Sequence, residues 1–134
     1  YSSNWDAQGL GFYREGAVWY RTRIDLPALD SGQGMGLFLG GFDDRAEVWL
    51  NGKYVGDSGR KFSRPAVFDL TEFVSTDKNL LVIKISRLSN INEALTGGLL
   101  RPVFVFSGPR IESGKETPKS NERVLPGGTF EKIK

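Results

Sequence analysis

Between residues 18 and 26 the even positions Val18, Tyr20, Thr22, Ile24 and Leu26 are apolar or half-apolar, while Arg21, Arg23 and Asp25 take the odd ones. A period of two marks a half-buried strand. Pro27 ends it, residues 30–34 turn, and Met35, Leu37 and Leu39 restart the same period before the Gly40-Gly41 pair. Ala46, Val48 and Leu50 alternate again. Asn51-Gly52 follows with two residues that readily take positive φ, so the pattern predicts a tight hairpin with Lys53-Tyr54-Val55 as its return strand.

A glycine-rich, basic stretch at 56–64 reads as a loop, Pro65 opens a short strand through Phe68, and residues 70–74 read as one helical turn. Residues 80–85 are apolar everywhere except Lys84, the pattern of a strand central in its sheet and covered on both faces. A polar loop, 86–98, leads to another β-forming run at 102–106. After Gly108-Pro109 the alternation dissolves. The expected division is a sandwich over 1–110 and a polar tail or linker over 111–134, with Val124-Leu125 and Phe130 as points at which it can rejoin the body.

About seven short strands with frequent turns and no sustained helical period argue for an all-β antiparallel β-sandwich or barrel. If consecutive strands run antiparallel, their connections fall alternately at the two ends. One end then gathers residues 9–16, 40–44, 57–63 and 88–101, and the other holds the Asn51-Gly52 turn and the connections that begin at Pro27 and Thr71. Long, polar connections are expected on one rim.

Composition narrows the chemistry. A chain of 134 residues fits one domain with a sizeable core. Eighteen basic and sixteen acidic residues leave a net charge of +2, too small and too evenly spread for a nucleic-acid surface. Cysteine and histidine are both absent. Thiol nucleophiles, disulfides, Ser-His-Asp triads and ordinary zinc sites are therefore excluded, while the oxygen ligands of a structural calcium are not. No apolar run reaches the length of a membrane span.

The stretch Gly41-Phe42-Asp43-Asp44-Arg45-Ala46-Glu47-Val48-Trp49-Leu50-Asn51-Gly52 resembles the sugar-binding domain of glycoside hydrolase family two, with its Gly-x-Asp loop, Val-Trp-hydrophobe strand and Asn-Gly turn. Trp19-Tyr20-Arg21, Phe68-Asp69-Leu70-Thr71, Asn79-Leu80-Leu81-Val82-Ile83 and Gly97-Gly98-Leu99-Leu100-Arg101-Pro102-Val103 agree with it in order. The resemblance implies a jelly-roll, galactose-binding-domain-like sandwich that is not itself an enzyme. It further implies a catalytic domain of a parent glycoside hydrolase as partner, a glycan or polysaccharide as ligand, and a secreted or periplasmic setting. Where the family usually carries a His or Gly-Gly-Tyr, this chain has Asp57-Ser58-Gly59-Arg60-Lys61-Phe62.

Sugars present flat C–H patches edged by hydroxyls, so their sites join aromatic platforms to carboxylates, amides and guanidinium groups. The candidate ligand contacts at the loop-rich end are Trp5, Tyr13, Arg14, Asp43, Asp44, Arg60, Lys61, Asn90, Asn92 and Arg101. Asp43 and Asp44 also suit turn chemistry, Arg60 and Lys61 a solvated loop, and Arg101 an ion pair with Glu93 or an aspartate, and for each of them this is the more ordinary role. Trp5 suits either an anchor for the N-terminal segment or a stacking surface. Trp19 and Trp49 stand opposite the apolar sets of their strands, as an aromatic platform or as side chains covered by a sheet edge or partner domain.

Overall fold

The computed structural model describes Trp5 and residues 16–60, 64–87, 97–110, 122–124 and 130–132. Strands β1 (Gly16–Ile24), β6 (Asn79–Arg87), β3 (Arg45–Leu50) and β4 (Lys53–Arg60) form one sheet in that spatial order. Strands β5 (Ala66–Asp69), β2 (Gln33–Leu39) and β7 (Val103–Pro109) form a second. Every pairing is antiparallel. β8 (Glu122–Val124) and β9 (Phe130–Lys132) pair with each other, Val124 opposite Phe130.

The period of two is what closes the core. Met35, Leu37 and Leu39 point inward from β2, Ala46, Val48 and Leu50 from β3, and Leu81, Ile83 and Ile85 from β6, all of them buried. Each of these side chains other than Ala46 stabilises the fold by about 1.5–3 kcal/mol before the entropy of ordering it is counted. Here β6 is interior as expected, flanked by β1 and β3. Its outward residues Leu80, Val82 and Lys84 are only half-buried, so one face is covered by the core and the other is not.

Two strands run further than the sequence pattern indicates. β4 continues through Gly56 and Gly59 to Arg60, where the composition predicts a loop, because the β3–β4 ladder absorbs the glycines through register shifts between Arg45 and Glu47 and between Val48 and Trp49. At the first irregularity Ser58 Oγ accepts from the Ala46 amide at 2.9 Å. β6 continues to Arg87, because Ser86 pairs with both Ala17 and Arg45 and Arg87 with Gly16, and burial becomes continuous over Ile85, Ser86 and Arg87. The expected helical turn is a short 3₁₀ turn at Thr71–Phe73, started by Asp69 Oδ1, which accepts from the Thr71 amide at 2.9 Å.

Register separates the two ends as parity requires. Gly16 pairs with Arg87, Arg45 with both Ser86 and Arg60, and Leu39 with both Ala66 and Val103. The ends of β2, β4 and β6 therefore share one rim with the start of β1, while residues 9–15, 61–63 and 88–96 of the expected rim lie outside the described residues. At the opposite rim Asn51 and Gly52 both take positive φ, 54° and 78°, and close the β3–β4 hairpin. Asn79, fully buried beside them, accepts from the Ser75 amide at 2.8 Å and donates to the Ser75 and Asp77 carbonyls at 3.0 and 2.9 Å.

Candidate functional site

At the loop-rich rim, Gly97 to Leu100 lies along the β2–β3 connection. The Asp43 amide donates to the Gly98 carbonyl at 3.0 Å, the Leu100 amide to Gly41 at 2.9 Å, and Phe42 bridges Leu99. Trp5 closes this layer. Its amide donates to the Gly97 carbonyl at 3.1 Å, and its indole Nε1 to the Tyr20 hydroxyl at 2.9 Å. A Cβ on Gly97 would stand 2.1 Å from the Trp5 ring, and one on Gly98 2.6 Å from both Trp5 Nε1 and the Tyr20 hydroxyl oxygen. Only glycine fits beneath that indole.

Trp5 is thus 2% exposed, an anchor, and its ring is not available as the stacking surface that the sequence also allowed. Asp43 likewise points inward, 1% exposed, with its Oδ2 3.5 Å from Arg87 Nε. Burial is the largest influence on its carboxyl and pushes the pKa up to about 6, with Asp44 adding to the rise and Arg87 and the Asp44 amide opposing it. Asp44 is 7% exposed, holds a positive φ of 47° and lies 3.8 Å from Arg60. Asp43 is turned to the interior, while Asp44 holds the turn and faces Arg60.

Arg60 and Arg101 are exposed at this end. Among the described residues no carboxylate is in ion-pair range of Arg101. Tyr13, Arg14, Lys61, Asn90 and Asn92, with Glu93, lie outside the described residues. Arg45 pairs with Asp57, whose carboxyl is held below the usual range chiefly by the Gly59 amide. Among the described residues no group of three or more acidic side chains is placed to hold an ion.

Arg87 does not stand out among the candidate residues in the sequence, yet parity marks it. Leu81, Ile83 and Ile85 all face inward, so a basic residue two places further on must be buried and calls for an acid.

The outward faces of the two sheets are aromatic. On the four-stranded sheet Trp19, Trp49 and Tyr54 form a row, with ring centroids 5.2 Å and then 5.3 Å apart. Trp19 is 58% and Tyr54 50% exposed, so no sheet edge of the sandwich covers Trp19. Lys84 lies 5.5 Å from the Trp19 ring centroid and 2.8 Å from Glu47 Oε2. On the three-stranded sheet Val67, Phe38 and Phe104 stand in register across β5, β2 and β7, and Phe106 covers Gly36.

Over residues 3–99 the chain matches the model of the glycosyl hydrolase 2 galactose-binding domain-like family. It belongs to that family. It is 28% identical over 97 residues to a β-galactosidase of Photobacterium profundum, covering 68% of this chain and 9% of that protein. With the β-galactosidase large subunit of Lactobacillus helveticus it shares 33% identity over 70 residues, 52% of this chain and 11% of that one.

Among solved structures, the FMN-binding β-glucuronidase of Facaelibacterium prausnitzii L2-6 superposes with a TM-score of 0.66 at 22% identity, over 80% of this chain and 18% of that one. The β-glucuronidase of Bacteroides uniformis gives 0.60 at 25%, over 81% and 14%. The fold is the galactose-binding-like sandwich. Spanning 7 to 11% of the curated relatives, the chain corresponds to an ancillary domain of glycoside hydrolases and not to their catalytic one.

Proposed function

We propose that this domain serves a parent glycoside hydrolase as a non-catalytic body that packs on the rest of the enzyme through the outer face of its three-stranded sheet. The row Val67, Phe38 and Phe104 carries the reading: Phe104 is 56% exposed, Phe106 40% and Val67 39%, and the Phe38 and Phe104 rings stack at 6.2 Å. Contiguous apolar surface of this kind is characteristic of interfaces. The long remainder of the relatives supplies a partner for it. Phe104→Asp in the parent enzyme is expected to lower its melting temperature and activity while leaving the melting of the isolated domain nearly unchanged. A parent enzyme indifferent to the substitution would refute the reading.

A second reading keeps a glycan contact at the loop-rich end and draws support from the exposed guanidinium groups of Arg60 and Arg101. Arg60→Ala and Arg101→Ala would then weaken oligosaccharide binding without lowering stability. Unchanged affinity in both removes it.

A further inference from the structure

The two outer faces differ in chemistry, and the four-stranded one is not a dry patch. Its three rings carry polar tips, and Arg21 and Arg23 extend from β1 on the same side as Trp19, across from Val82 and Leu80 of β6. A hollow of about 690 Å³ is lined by Trp19, Arg21, Leu80 and Val82, and a neighbouring one of about 300 Å³ by Arg21, Thr22, Arg23 and Leu80. Both are shallow and open to solvent, the shape of a surface along which an extended chain can lie and not of an enclosed cavity. Glu47 already balances Lys84, whereas no described carboxylate is in ion-pair range of Arg21 or Arg23. The edge of the platform is left positively charged.

We propose that this face binds a carboxylate-bearing saccharide, its pyranose rings against Trp19 and Tyr54 and its carboxylate at Arg21 and Arg23. Pyranose C–H faces stack on aromatic rings, and a guanidinium fork matches a carboxylate in two parallel hydrogen bonds. Trp49 is half-buried between the two exposed rings and packs on both, at 38° to Trp19 and 62° to Tyr54, so they are ordered before any ligand arrives. Ordering costs on binding are correspondingly small. The succession of rings across β1, β3 and β4 suits more than one sugar unit. Neither the phenylalanine face nor the loop-rich rim takes part.

Tryptophan fluorescence and calorimetry on the full chain test it, with oligogalacturonate and a glucuronate-bearing xylo-oligosaccharide against neutral galacto- and xylo-oligosaccharides. The acidic sugars should bind at least about tenfold more tightly than the neutral ones and weaken as salt rises from about 50 to about 500 mM. Arg21→Ala with Arg23→Ala should cost about tenfold or more, and Trp19→Ala should abolish the signal and the heat. Circular dichroism checks that each variant is folded. Ser107→Ala, an exposed position of β7 on the opposite sheet, should leave binding unchanged.

A folded chain that ignores both acidic sugars overturns the proposal, as does equal affinity for the neutral ones. Binding lost in Arg60→Ala but kept in Trp19→Ala would move the site to the loop-rich rim. A polyglutamate peptide held as tightly through the same arginines would make the face a protein contact instead.

Discussion

The Asn51 side-chain amide donates to Asn79 Oδ1 at 2.8 Å, joining the β3–β4 turn to the start of β6. Asn51 Oδ1 in turn accepts from the Leu80 amide at 2.9 Å, and its Nδ2 also reaches the Phe73 carbonyl at 3.0 Å. With Asn79 fully buried, truncation leaves several backbone groups without partners. Asn79→Ala is expected to destabilise the domain by about 2–4 kcal/mol in chemical denaturation. A loss below about 1 kcal/mol would mean that water replaces the side chain readily.

Asp43 gives the fold a distinctive pH dependence. Its folded-state pKa is raised from 3.8 to about 6, so between these values the folded chain holds a proton that the unfolded chain has released. Stability therefore falls as pH rises through that window, by up to about 3 kcal/mol from this group. Asp57, shifted downward, contributes stability that is lost on acidification, the opposite trend. Subtracting the melts of Asp43→Asn from those of the unmodified chain, from about pH 4 to about pH 6.5, cancels it. A flat difference would show that the Asp43 carboxyl titrates normally.

Gly97→Ala places a methyl group where the Trp5 ring lies. A backbone and a large ring cannot both yield without loss, and about 1–3 kcal/mol of destabilisation is expected. Tryptophan emission should shift to the red as Trp5 leaves its buried site. Melting and emission both unchanged would place that ring elsewhere.

Val48 and Ile83 stand opposite each other on β3 and β6, 0% and 4% exposed. Val48→Ala or Ile83→Ala should each cost about 1–3 kcal/mol of unfolding free energy, from lost contacts and the hole left behind. Because the two residues are neighbours, the double variant should depart from the sum of the singles.

Much of this architecture was legible in the sequence, and the reason is local. Alternation in β2, β3 and β6 and the Asn51-Gly52 turn are set within a few residues, and strand parity alone sorted the strand ends onto their two rims. What escaped depends on residues far apart in the chain. Asp43 meets Arg87, and Trp5 meets Tyr20 and Gly97, with nothing at either position to name the other. Gly56 and Gly59 suggested a loop because their place in a ladder rests on how β3 shifts against them. The aromatic row was visible only as two tryptophans of the right parity. Its contact across β6, with Tyr54 added, required the sheet order.

The unequal rims set different tolerances to length. At the rim tied by Asn51 and Asn79, one extra residue between Asp77 and Asn79 would pull that side chain away from every carbonyl and amide it now meets. At the far rim residues 40–43 and 97–100 are tied to one another and to Trp5, whereas the β4–β5 and β6–β7 connections join strands whose partners are chosen within the sheets themselves. Relatives can therefore diverge in the size of those connections, and a grafted peptide placed there would ride on an unaltered body of packed side chains.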